Sequence, residues 1–245
     1  MATSPTHKRA PLRILHLYPR EMNIYGDWGN VQTILQRSAW HGYKTELVEH
    51  HPGKKFPADI DLVIGGGGQD SGQSLVETDL LAISDGLHAL ADDNTPMLVI
   101  CGLYQLFGRF FKTADGHTIP GIGIFAAETH AGSKRLIGNI VTDTPFGQLI
   151  GYENHSGLTL LDDDQPALGR IIKGAGNNGE DKTEGAIYKC VFGSYLHGSL
   201  LPKNPQLADA LIEAACVRKY GQFEPQIIDD HFADRAREIA SRRPR

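Results

Sequence analysis

The chain has 245 residues, enough to bury a full core in one domain of near-maximal size. Lys and Arg number 24 against 29 Asp and Glu, and a formal net charge of −5 excludes the clustered positive field that nucleic acid requires. Hydrophobic residues at 40% and charged residues at 22% fit an ordinary globular protein, and no run approaches the roughly 18 apolar residues of a membrane helix.

The start, MATSPTHKRAP, has no apolar stretch, so it is no secretory signal, and residues 1–11 read as a flexible leader. LRILHLY (12–18) is short, apolar and ended by Pro19, which predicts a buried strand. Asp27, Gly29 and Asn30 then precede VQTILQRSAWHGY, where Val31, Ile34 and Leu35 fall at helical spacing and Gly42 marks the stop. KTELVEH (44–50) and DIDLVIGG (59–66) read as strands, and SLVETDLLAISDGLHALADD (74–93) as one amphipathic helix. Pro96 announces the strand MLVI, and a further helix is predicted just after Cys101.

Nearly all-apolar strands alternating with helices are the pattern of a parallel sheet covered on both faces. From 116 to about 195 the character changes. RLIGNIV, FGQLIGY, GAIYKC and VFGSYL, separated by Gly, Asp and Asn turns, predict shorter and partly antiparallel strands. NPQLADALIEAACVRKYG (204–221) reads as a closing amphipathic helix, with Asp209 and Glu213 on its polar side. Residues 12–221 are thus expected to form one domain. A charged tail (222–245) comes last, read as one short helix and then disorder at SRRPR.

Cys101, Cys190 and Cys216 stand at wide, irregular spacing that fits neither a disulfide framework nor a metal site, and the cytoplasm is the expected compartment. Cys101 sits where the strand MLVI should turn into a helix. In an open parallel sheet, ligands gather at the carboxyl ends of strands. A sharp turn there pushes its central side chain outward and aims backbone N–H groups beside it, which suits a thiolate. The bland alternative, a small buried core cysteine, weighs about equally on position alone.

IGGGGQD (64–70) again closes an apolar strand. It lacks the Lys-Ser/Thr of a phosphate loop, but its glycines let backbone N–H groups approach a ligand and could form half of an oxyanion hole. Among the eleven histidines, His197 in GSYLHG stands at a strand end between small residues, with His155 in GYENHSG its main competitor; His7, His50 and His51 read as solvated.

In this order, a Gly-rich loop, an elbow cysteine with Gln105 four residues on, and a late strand-end histidine resemble the class I glutamine amidotransferases. YENHSG and GSYLHGSLLPKNPQLAD resemble the corresponding segments of the cobyric-acid-synthase-like branch. LYPREMNIYGDWGN (17–30) and KRLIGN (134–139) resemble the GatD family, glutaminase subunits of lipid II isoglutaminyl synthases that work with a Mur-ligase-like subunit, MurT. The resemblance spans about residues 12–221.

It implies a flavodoxin-like three-layer α/β fold with a mostly parallel sheet and a partly antiparallel extension. It also implies that Cys101 attacks the side-chain amide of glutamine, with His197 as base and then acid. Amides of Gly102 and of Gly67 or Gly68 would hold the oxyanion, Gln105 would touch the bound glutamine, and Arg135 would clamp its α-carboxylate. No metal or cofactor is implied in this chain; ATP and magnesium are expected on the partner, in a heterodimer that amidates the D-glutamate of lipid II.

One position departs from the class. A Glu two residues after the histidine is usual, and here it is Ser199, so the third group is expected from Glu153 or, preferably, from the partner. A cobyrinate-type amidotransferase and an inactive amidotransferase-like binding module are the competing readings.

Overall fold

The computed structural model describes residues 9–197 and 199–244. In chain order the elements are β1 (Leu12–Leu17), α1 (Trp28–Trp40), β2 (Thr45–His50), β3 (Leu62–Gly65), α2 (Asp70–Ala82), α3 (Ser84–Asp92), β4 (Met97–Ile100), α4 (Gly102–Phe107), β5 (Phe110–Lys112) and β6 (Thr118–Pro120). Next come β7 (Ala127–Thr144), β8 (Gly147–Leu161), β9 (Gly169–Lys173), β10 (Thr183–Glu184), β11 (Ala186–Tyr188), β12 (Val191–Ser194), a short 3-10 turn (Leu201–Lys203), α5 (Pro205–Tyr220) and α6 (His231–Arg242).

The main sheet has the order β11-β12-β4-β3-β1-β2 and is parallel except for the edge strand β11. Its central strands LVIG and MLVI are buried at every residue, as a strand covered on both faces must be. The second sheet has the order β10-β9-β7-β5-β6, with β8 also on β7, and is antiparallel except where β5 meets β7. The predicted α/β architecture therefore holds, with the antiparallel extension built as a sheet of its own.

The differences have local causes. The segment expected as one helix over 74–93 is two, broken at Ile83. The break brings Gly86 against Phe56, where a Cβ would stand 2.7 Å from the ring, too close for any side chain. The middle of the chain is dominated by one long hairpin, β7–β8, rather than by short strands, and VFGS leaves it to lie parallel beside β4. His50 is not solvated: it is 1% exposed, and its Nε2 meets the same Asp79 oxygen that accepts the Tyr18 hydroxyl. His7 lies outside the described residues.

The tail packs on the domain. Arg37 of α1, 4% exposed, donates to both oxygens of Asp209 on α5 at 2.6 Å and to Asp230, at the start of α6, at 2.6 and 3.1 Å. Arg237 donates to the Asn204 side chain and to the Lys203 carbonyl. The last helix extends to Arg242, so Ser241 and Arg242 of the stretch expected to be disordered are helical. Eight of the eleven residues expected as a leader are undescribed, but Arg9 pairs with Glu224 and lies over the Tyr43 ring.

Replacing Arg37 with methionine leaves two half-exposed carboxylates facing a gap. The expected loss is on the order of 2–3 kcal/mol, between that of a buried and an exposed pair. Urea denaturation should show it as a lower midpoint.

Candidate active site

Three neighbouring parallel strands deliver the site. β3 is followed by the glycines Gly66–Gly68, β4 by Cys101, and β12 leads to His197 three residues on. Because β3, β4 and β12 are adjacent and run the same way, their carboxyl ends open on one small volume, as expected at the exits of a parallel sheet. The Cys101 N–H donates to the Ser194 carbonyl at 2.8 Å, and the His197 N–H to the Tyr152 carbonyl at 2.7 Å, which pins both corners.

Cys101 has φ +50° and ψ −102°, a conformation a non-glycine residue rarely adopts and one that a strained strand-to-helix elbow imposes. The glycine loop closes over it. A Cβ built on Gly67 would lie 2.9 Å from Cε1 of His197, 3.2 Å from Cβ of Cys101 and 3.4 Å from Oδ2 of Asp27. These three side chains from distant parts of the sequence therefore meet at one point. A Cβ on Gly102 would lie 2.9 Å from the Gly68 nitrogen, so the loop and the elbow touch through bare backbone.

The Gly67 N–H donates to Asp27 Oδ2 at 2.7 Å. This changes the expectation for Gly67: its amide is committed to a buried carboxylate, and Gly68 and Gly102 are the backbone amides left at the elbow. Asp27 is fully buried, and that burial raises its carboxyl to about 6, with the Gly67 N–H pulling the other way.

A cavity of about 350 Å³ opens beside the elbow, lined among others by Tyr25, Gly68, Cys101, Gln105, Arg135 and His155. Arg135 reaches it from a bulge. Ala131 pairs with Gly157 and Leu136 with His155, so four residues of β7 stand opposite one of β8 and Gly132–Arg135 leave the ladder. Its Nε donates to Asn154 Oδ1 at 2.7 Å and its Nη2 to the Tyr25 hydroxyl at 3.1 Å. Among the described residues no carboxylate lies within ion-pairing distance of it.

Gln105 also lines the cavity, but its amide is engaged. Nε2 donates to the Tyr195 hydroxyl at 3.1 Å, and Oε1 accepts from Gln73 Nε2 at 2.8 Å. Gln73 in turn bonds the Gly102 carbonyl at 3.0 Å, so this network braces the elbow from behind. His155 stacks on the Tyr195 ring, with centroids 3.6 Å apart, and its Nδ1 lies 2.7 Å from the Gly157 carbonyl.

His197 is 1% exposed, and neither ring nitrogen meets a hydrogen-bond partner among the described residues. Burial holds its pKa down at about 3, with the nearby His155 and Arg135 adding to the effect. The Tyr25 ring packs edge-on against it, with centroids 4.5 Å apart. Glu153, one of the two sources expected for a third group, accepts from the Ala175 and Gly176 N–H groups, each at 2.8 Å. Ser199 bonds the Gly26 carbonyl at 2.7 Å, and its Oγ sits where a Cβ on Gly29 would be. The 26–29 segment thus fills the space that a longer side chain at 199 would need.

The sequence makes YGDWGN conspicuous without giving it a role, and it does not single out Gln73, Asn154 or Tyr195. Glycines at 26 and 29 were the available signal, the first for its φ of +76° and the second for its close approach to Ser199.

The buried imidazole should stay neutral across the working range. The unfolded ring takes a proton near its ordinary 6.5 and the folded one only near 3, so His197 contributes stability at neutral pH that is lost as pH falls between those values. Nuclear magnetic resonance of the ring should show no titration between about pH 5 and 8, the span in which an unperturbed imidazole changes charge.

Comparison with known proteins accords with this geometry. Residues 13–205 match the model of the CobB/CobQ-like glutamine amidotransferase domain. The chain is 39% identical over 93% of its length, and 94% of the relative's, to the GatD subunit of the glutamine-hydrolysing lipid II isoglutaminyl synthase of Staphylococcus aureus. It is 38% identical to the Streptococcus pneumoniae GatD subunit, over 86% of this chain and 83% of that one. Among solved structures, PurLQS of Thermotoga maritima superposes with a TM-score of 0.58 at 16% identity, covering 83% of this chain and 98% of that one, which bears on the fold alone. The chain belongs to the CobB/CobQ-like glutamine amidotransferases and, within them, to the GatD family of glutamine-hydrolysing lipid II isoglutaminyl synthase subunits.

Proposed function

We propose that this chain hydrolyses L-glutamine through Cys101 and His197 and hands the ammonia to a MurT-like Mur ligase partner. The partner would use ATP and magnesium to activate the α-carboxyl of the D-glutamate of lipid II and convert it to D-isoglutamine. The observation that carries the reading is the meeting of Cys101 and His197 at Gly67, beside a cavity that also presents a cation, Arg135, without a carboxylate partner among the described residues.

Glutamine enters with its α-carboxylate on the Arg135 guanidinium, whose planar fork suits two parallel hydrogen bonds. Neutral His197 takes the thiol proton as Cys101 Sγ adds to the side-chain carbonyl carbon. The charge that develops on oxygen faces the Gly68 and Gly102 amides; Gly67 serves the loop by its bond to Asp27. His197 then returns its proton to the departing nitrogen, leaving a thioester and ammonia. Water, deprotonated by the same imidazole, cleaves the thioester to glutamate. Gln105 holds the elbow through Gln73 and Tyr195 as well as lining the cavity.

An imidazole with no orienting partner is a poor base, because nothing fixes its tautomer or stabilises its cation. The ring nitrogens of His197, without a hydrogen-bond partner among the described residues, and a Glu153 engaged by backbone favour a third group supplied by the partner subunit. The product also calls for a partner: ammonia released by this chain is lost unless a second active site is sealed to it. Access to a lipid-linked substrate is assigned to the complex, at the inner face of the membrane; among the described residues no helix is long and apolar enough to cross one.

The complex with Cys101→Ala should lose glutamine-dependent amidation by roughly 10³-fold or more, as removal of a nucleophile does, yet retain amidation with added ammonium. Failure of ammonium to rescue it would remove the cysteine from ammonia supply. Glutamate release by the chain alone should be much slower than by the complex; equal rates would place the orienting group within this chain.

A further inference from the structure

The YGDWGN segment (25–30) touches two of the functional side chains through Tyr25 and is tied to the backbone around them. Asp27 holds the Gly67 amide, Ser199 holds the Gly26 carbonyl, and Asn30 Oδ1 accepts the Leu201 N–H at 2.9 Å. Trp28 N–H is bonded to the Asn23 side chain, and Gly26 has φ +76°, which closes the turn. The loop is therefore fixed at both ends, and Tyr25 is the side chain it projects into the cavity.

Tyr25 makes two contacts of different kinds. Its hydroxyl accepts from Arg135 Nη2 at 3.1 Å, and the edge-on packing of its ring closes one side of the buried His197 imidazole. Arg135 is exposed and rises from a bulge, so its long side chain has rotamer freedom to lose. Two neutral oxygens, Tyr25 Oη and Asn154 Oδ1, fix its guanidinium without neutralising it. A carboxylate arriving in the cavity then meets a cation already in place.

Resting on the glutaminase reading above, we propose that Tyr25 is a positioning residue with two separable effects: its hydroxyl presets Arg135 for the α-carboxylate of glutamine, and its ring holds His197 facing Cys101. Removing the hydroxyl weakens an interaction present equally in the ground and transition states, which raises KM and spares kcat. Removing the ring frees the imidazole, and that lowers kcat.

The test uses the full chain in complex with its Mur-ligase-like partner and measures glutamate release. Tyr25→Phe should raise KM for glutamine about 3- to 10-fold with kcat within about twofold, the size of one ordinary hydrogen bond. With 4-aminobutanamide, which keeps the side-chain amide and lacks the carboxylate, Tyr25→Phe and the unaltered chain should have the same kcat/KM. Tyr25→Ala should lower kcat as well, by about tenfold or more, as misplacing a general base does. Unaltered thermal unfolding of both variants shows that the fold is kept; if Tyr25→Ala fails to fold, Tyr25→Phe still decides the role of the hydroxyl and Tyr25→Leu that of the ring.

A Tyr25→Phe chain with unchanged KM, or one equally impaired on 4-aminobutanamide, would overturn the role given to Tyr25. Arg135→Ala separates this from the underlying reading: unchanged KM there would overturn the carboxylate clamp itself, whereas a raised KM beside an unaffected Tyr25→Phe overturns only the inference.

Discussion

No side chain fits at Gly67, and the rest of the site depends on that. Three strands and one loop bring His197, Cys101 and Asp27 to within van der Waals distance of a single Cα hydrogen. A methyl group there would push the imidazole from the sulfur or lift the loop from the elbow. The parallel sheet explains why these groups can meet at all, since β3, β4 and β12 are neighbours and end together. The glycine explains how closely they meet, and the buried Asp27 carboxylate explains what stops so bare a loop from drifting.

Burial has a second consequence. It keeps the imidazole neutral, which is the form a base needs, but it also removes the water that would stabilise the imidazolium that the proposed deprotonation of the thiol would form. Within the described residues the ring has no carboxylate at hydrogen-bond distance. The position where the class usually carries one is a serine bound to the Gly26 carbonyl and packed against Gly29, so the YGDWGN loop occupies that volume. With Cys101 as the proposed nucleophile and His197 as its proposed base, the described residues would hold both in place and lack the charge that would make them fast. An external carboxylate, arriving with the protein that consumes the ammonia, would couple glutamine hydrolysis to demand.

Much of this was legible in the sequence, and the limits have physical causes. Cys101 and His197 follow the strand segments MLVI and VFGSYL and are each followed by glycine, and a parallel sheet exposes the residues just past its strands. Local pattern carries that information. Gln105, expected from resemblance to touch glutamine, lines the cavity, and its amide also bonds Gln73 and Tyr195, which lie 32 and 90 positions away and form no pattern with it. Arg135 was named through resemblance alone; the bulge that presents it comes from four residues of β7 facing one of β8, a register that neither strand states by itself. The single helix read over 74–93 is two, and the break lets Gly86 approach Phe56, a tertiary contact invisible to helical periodicity.

The central claim is that the sulfur on this strained corner attacks the side-chain amide of glutamine. A glutamine analogue bearing an electrophile in place of that amide, incubated with the complex and monitored by peptide mass spectrometry, tests it directly. The account predicts one adduct, on Cys101, formed at a rate that falls when glutamine competes. Labelling of Cys190 or Cys216 instead, or no protection by glutamine, would contradict it.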